Sequence, residues 1–251
     1  MRTSGKAFVA FAVLVSAGAA IDAARAAGVE DANAAVLAAR DGKYDDAIRL
    51  FTSAINSDEL NLTGRAQAYA YRGIAKATTG DYDGSREDLN FSVALGSTYN
   101  ADALAFRGYM ELVTGDSAKA AADLAKSAGQ KVWGYSALWL SLARMKANVP
   151  DTDGISLANN AKTLNPDQWP FTVVKFLMGQ ASADEVAKDA NQGDPAKVVE
   201  RACDADFYVA EFDLAHGNAA AARPLMQRAA EKCPFASFER MGATAEMARL
   251  K

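Results

Sequence analysis

The sequence predicts an all-α chain, a solenoid of antiparallel helix pairs with an irregular helical centre. Three observations carry that prediction. Apolar and small residues recur every three or four positions through most of the chain, the spacing of a single helix face. Short glycine-containing breaks divide these runs into pairs, and the breaks recur: Gly80 and Gly115 lie 35 residues apart, Gly42 and Gly80 lie 38 apart. A helix–turn–helix period of about 34 residues marks stacked repeats, none of which can bury its apolar stripe alone. Alanine is abundant and only 6 of the 251 residues are proline, a composition that favours helix.

Half of the residues are apolar, enough for a substantial core in one or two units. The formal charge is −4 and no Lys/Arg cluster could neutralise several phosphates, which argues against a general nucleic-acid binder. The first residues read as an address rather than fold. Arg2 and Lys6 precede an apolar run over 7–15, and small residues follow. Ala24-Arg25-Ala26 has the small-x-small pattern of a signal-peptidase site, and Ala17-Gly18-Ala19 fits it too. The expectation is a secretory signal over 1–26 cut after Ala26, with Ala19 as the second choice and an uncleaved anchor as the alternative. The run is short against the roughly 20 residues of a membrane span, which favours cleavage. No cysteine stands near the cut to take a lipid. The product is expected in the periplasm with no stable membrane anchor.

In order, Ala34, Ala35, Leu37 and Ala38 open the first helix; Gly42 to Asp46 break it; Ala47, Ile48, Phe51, Ala54 and Ile55 mark the second. Tyr69, Gly73 and Ala77 lead to Gly80, then Ser85, Leu89, Ser92 and Val93. Leu104, Gly108 and Leu112 lead to Gly115, then Ala120, Leu124 and Ser127. The expected division is therefore 1–26 signal, 27–131 N-terminal repeats, and 132–251 an irregular centre with a last repeat and capping helix. That last repeat is 203–234. Phe207, Ala210 and Leu214 precede Gly217; Ala222, Leu225, Met226 and Ala229 follow it, and Pro234 limits the second helix.

These residues resemble the tetratricopeptide repeat (TPR). Its pattern is a small residue in the first helix, a glycine near the turn, then small, large apolar and small residues in the second helix. Ala35, Gly42, Ala47, Phe51 and Ala54 match it, as do Gly73, Gly80, Ser85, Leu89 and Ser92. Gly108, Gly115, Ala120, Leu124 and Ser127 form the third set; Ala210, Gly217, Ala222, Met226, Ala229 and Pro234 form the last. The resemblance implies a right-handed TPR-type solenoid. Where serine replaces alanine, at Ser85, Ser92 and Ser127, its hydroxyl is expected to bond the preceding turn.

The centre departs from the repeat. Residues 132–146 form an apolar helix with Trp133, Leu138, Trp139 and Leu142; a break with Pro150 and a shorter helix over 155–164 follow. After Trp169-Pro170 comes an apolar helix ending at Gly179. Ser182 with Glu185 predicts a capping box, and Asp194 with Pro195 another helix start. Ala137-Leu138-Trp139-Leu140, Trp169-Pro170, Phe207 to Glu211, Cys233-Pro234-Phe235 and Phe238-Glu239 resemble the exported bacterial NlpI-like TPR lipoproteins, over roughly 29–250. The lipidation cysteine of that family is absent. The resemblance implies a role in envelope or peptidoglycan maintenance and a protease or peptidoglycan hydrolase as partner.

Cys203 and Cys233 are the only cysteines. In an exported chain they suggest one disulfide; buried free thiols or a redox pair are the alternatives, the latter without a Cys-x-x-Cys. A hairpin reversing near Gly217 sets residue 230 opposite Cys203, so Cys233 lies about one turn away. His216 is the only histidine and suits a helix end; one histidine cannot build a multi-histidine zinc site. The acidic residues Asp45, Asp46, Glu87, Asp88, Glu200, Asp204 and Asp206 are expected on solvated faces and helix N-termini. No phosphate-, dinucleotide- or calcium-binding loop appears, and no cofactor or metal is expected. Trp133, Trp139 and Trp169 are core or line a groove. Arg65, Tyr69, Arg72, Lys76, Phe106, Arg107 and Tyr109 fall on first helices of repeats, where an aromatic and basic groove would suit a peptide.

The reading is a non-enzymatic periplasmic adaptor that binds proteins or peptides. The alternatives are a cell-envelope hydrolase with converging carboxylates in the helical centre, and a purely structural chain that self-associates, as a homodimer for example.

Overall fold

The computed structural model describes residues 27–131, 134–151, 156–235 and 237–250. The expected signal segment 1–26, Trp133 and part of the central break fall outside them. The described residues form helices and no strand. They divide into two compact units, the first ending at Met110 and the second beginning at Glu111. The pattern boundary at 131/132 lies inside the second.

Unit 1 holds α1 (Ala27–Arg40), α2 (Tyr44–Asn56), α3 (Leu62–Thr78), α4 (Tyr82–Ala94) and most of α5 (Asn100–Thr114). α1 packs on α2, α2 on α3 and α3 on α4, and α1 also touches α3, the contact pattern of stacked helix pairs. The turn residues Gly42 and Gly80 have φ of 76° and 92°, a left-handed conformation that a side chain resists. Asn61 and Asp81 cap α3 and α4, accepting from the amides of Gly64 at 2.8 Å and Gly84 at 2.9 Å. Phe51, Tyr71, Tyr99 and Phe106 make a buried aromatic ladder with ring centroids 6.0 to 6.5 Å apart.

Two expectations are corrected here. Asp88 does not face solvent: it is 2% exposed, clamped by Arg72 Nε and Nη2 at 2.8 and 2.7 Å and by Lys76 Nζ at 2.9 Å. Arg72 reaches on to Thr52 Oγ1 at 3.0 Å, so this pair ties α2, α3 and α4 together. Ser85 and Ser92 do not bond their own preceding turns. Ser92 Oγ donates to the Ala66 carbonyl of α3 at 2.7 Å, and Ser85 Oγ finds no partner among the described residues. Cross-helix packing is close enough there for the neighbouring helix to take the hydroxyl.

Unit 2 continues with α6 (Ser117–Gln130), α7 (Gly134–Ala147), α8 (Leu157–Ala161), α9 (Phe171–Leu177), α10 (Ala183–Ala190), α11 (Pro195–Ala215), α12 (Ala219–Lys232) and α13 (Phe238–Arg249). The capping box forms, with Ser182 and Glu185 exchanging hydrogen bonds, and Asp194 caps α11 with Pro195 at its start. α11 is the axis of the unit. It packs on α7, α9, α10, α12 and α13. Helices α11 to α13 repeat the pattern of consecutive pairs, with α11 also touching α13. α8 has only 5 residues, shorter than the expected helix over 155–164. Trp139 is core, edge-on to Phe238 at 5.2 Å.

A methyl group at Gly73 would stand 3.1 Å from the Ser85 carbonyl oxygen and 3.2 Å from Leu89 Cγ. Gly73→Ala should therefore cost about 1–3 kcal/mol by overpacking the α3–α4 contact. Asp88→Ala should cost about 3–5 kcal/mol, because it strands Arg72 and Lys76. Urea melts of both variants check the two figures.

Candidate functional site

α11 carries charge on its buried face. Cys203, Asp204, Phe207, Tyr208 and Glu211 are spaced three and four residues apart, so they share one side of the helix. All five are buried, and Asp204 has no exposed surface. The Cys203 and Cys233 sulfurs are bonded, with Cα atoms 5.1 Å apart, which joins α11 to the end of α12.

Around Asp204 the centre of unit 2 closes. Its Oδ2 accepts from Trp169 Nε1 at 2.8 Å and from Tyr135 Oη at 3.1 Å. Burial, and then the negative charges of Asp204 and Glu239, push the Tyr135 hydroxyl far above the usual phenol range, so it acts as a donor. Glu239 enters from the first turn of α13, where the helix dipole favours a carboxylate. It is 5% exposed. Among the described residues it has one hydrogen bond, from Tyr208 Oη at 3.4 Å, and no ion pair. The ligand atoms of Cys203, Asp204 and Glu239 all lie within 4.8 Å of one another.

This cluster corrects the expectation of a non-enzymatic adaptor without a catalytic or metal-capable site, and it corrects the placing of Asp204 on a solvated face. Two carboxylates buried this close call for positive charge between them, a shared proton or a bound cation. In the disulfide form Cys203 carries no thiolate, so the two carboxylates are the ionisable donors. The missed signal was register: Asp204 falls in step with Phe207 and Tyr208, on the apolar stripe rather than opposite it.

A second charged group lies further along α11. Lys146 Nζ of α7 meets Glu211 at 2.7 Å and Glu246 of α13 at 2.5 Å, and Arg249 meets Glu246 at 2.6 Å. Burial alone would lower the Lys146 pKa, but the two carboxylates outweigh it and raise it. Burial raises that of Glu211 against the pull of Lys146.

The predicted groove residues are placed as follows. Arg65 donates to the Ile55 carbonyl at 3.2 Å and to Asp58 at 3.0 Å. Arg72 and Lys76 hold Asp88, and the Arg72 guanidinium stands 5.4 Å over the Tyr69 ring. Tyr69 stacks on the exposed Phe91 at 5.3 Å, and Arg107 donates to Asn90 at 3.1 Å. Phe106 and Tyr109 are core residues. His216 caps its own helix end, with Nδ1 2.7 Å from the Phe212 carbonyl oxygen.

Fold and site together define an all-α protein of repeat-like helix pairs with a buried carboxylate centre. A scan against protein-family models matches none, and a search of curated proteins likewise returns no match.

Lys146→Met should destabilise the chain by about 3–5 kcal/mol near neutral pH, since two buried carboxylates lose their cation. The folded pKa of Lys146 lies above its ordinary 10.5, so its contribution is full below 10.5 and is lost as pH rises through the folded value. The stability gap between wild type and Lys146→Met should therefore close in strong alkali. The folded pKa of Glu211 lies above 4.5, so its term weakens the fold as pH rises from 4.5 through the folded value. Urea melts across pH check both directions.

Proposed function

We propose that this chain is an exported helical-repeat protein with hydrolytic chemistry at the Asp204–Glu239 centre, acting on cell-envelope material. The single observation that carries the reading is the convergence of two buried carboxylates in the helical centre, within 4.8 Å of each other. One carboxyl, protonated, serves the leaving group; the other, ionised, activates water. Tyr135 and Trp169 hold Asp204 in place through the hydrogen bonds at 3.1 and 2.8 Å. The envelope setting rests on the signal-like residues 1–26 and on the resemblance to NlpI-like TPR proteins, which also supports the finer reading of the repeats as a right-handed TPR solenoid.

The test is release of soluble fragments from purified peptidoglycan and from unfolded polypeptide. Glu239→Gln and Asp204→Asn should each lower turnover about 10²–10⁴-fold while the fold survives by circular dichroism. Wild-type protein inactive on both substrates, with and without divalent cations, would sink the proposal.

A second reading concerns unit 1 and a polypeptide partner. Phe91 is 57% exposed and stacks on Tyr69, with Arg107 held by the neighbouring Asn90, a surface suited to aromatic and acidic peptide residues. Phe91→Ala and Arg107→Ala should weaken retention of polypeptide from envelope extract several-fold without changing the melting curve. Unchanged retention would remove this face from consideration.

A further inference from the structure

The hydrolytic reading uses the two carboxylates and leaves the third member of the cluster unexplained. Cys203 Sγ lies within 4.8 Å of the Asp204 and Glu239 oxygens, yet the bond to Cys233 keeps it from acting as a thiolate. Glu239 makes the case for a missing ligand. It is nineteen-twentieths buried, it points into the cluster, and its one hydrogen bond among the described residues is the 3.4 Å contact from Tyr208. A carboxylate so buried, with one long hydrogen bond and no ion pair among the described residues, favours a cation or a proton beside it.

We propose, resting on the carboxylate reading above, that reduction of Cys203–Cys233 converts this centre into a three-donor site for a divalent cation of the zinc class. A dithiol supplies the two electrons: it is oxidised to its own disulfide, and Cys203 and Cys233 become thiols. As the cation binds, Cys203 gives its proton to solvent and its sulfur forms the metal bond, with Asp204 and Glu239 as the oxygen donors. One thiolate and two carboxylates suit a borderline cation such as Zn²⁺ or Co²⁺, and three protein donors leave a position for water. Cys233 is not in the cluster. Its role is to keep the sulfur of Cys203 in a disulfide, without the thiolate that would bind the metal, while its carbonyl, accepting from Arg240 at 2.9 Å, keeps the start of α13 and thus Glu239 nearby.

The asymmetry between the two cysteines gives the test. Cys233→Ser frees the Cys203 thiol, whereas Cys203→Ser removes the donor; both lose the same disulfide. Co²⁺ is titrated into each variant, into oxidised wild type and into wild type reduced and desalted under nitrogen, reading the thiolate-to-cobalt absorption band. Cys233→Ser and reduced wild type should bind one Co²⁺ with that band, at least tenfold more tightly than Cys203→Ser and oxidised wild type. Glu239→Gln in reduced protein should lose the gain. Equal behaviour of the two cysteine variants, or no thiolate band in any form, overturns the inference. If Cys233→Ser does not fold, reduced wild type against reduced Glu239→Gln decides the question by the same criterion. Failure here with hydrolysis intact in oxidised protein leaves the carboxylate reading standing. Cobalt binding without hydrolysis removes that reading and keeps the site.

Discussion

Unit 2 depends on how it meets the charge it buries. Asp204, Glu211, Glu239 and Glu246 are all nine-tenths or more buried. Taking a carboxylate out of water costs several kcal/mol unless donors or cations replace its hydration. Glu211 and Glu246 are met by Lys146 and, for Glu246, Arg249, so the ion pairs draw α7, α11 and α13 to one point. Asp204 is met by the neutral donors Tyr135 and Trp169. Glu239 relies on the α13 dipole and one long hydrogen bond. Among the described residues, Glu211 and Glu246 are met by cations and Asp204 and Glu239 by neutral donors, and the second pair lies beside the disulfide.

Unit 1 handles buried charge differently. Its clamped carboxylate, Asp88, takes a bidentate arginine and a lysine, and the arginine passes the contact on to Thr52. Such a saturated pair locates helices against one another but offers no empty valence. Arg72 and Lys76 serve packing before any ligand, which leaves Phe91, Tyr69 and Arg107 as the surface of interest.

Much of the fold was legible because its signals are local. Gly80 ends a helix through its own φ of 92°, Ser182 caps through bonds exchanged with Glu185 three residues on, and Pro195 starts a helix by its fixed φ. The pairing of Cys203 with Cys233 was within reach of the turn position alone. The centre was less legible. The short α8 and the serine hydroxyls depend on which neighbour stands across the contact, and nothing within a few residues of Ser92 names Ala66 as its partner.

The sequence by itself determined the all-α class, the repeating helix pairs, the main caps and turns and the cysteine pair, because each is decided by propensity, period or separation along the chain. Only the tertiary structure decided that Asp204 and Glu239 meet. They stand 35 residues apart on two different helices, and each is of a residue type that normally faces water. Their encounter is produced by the packing of α13 back onto α11, a long-range contact that no local rule encodes.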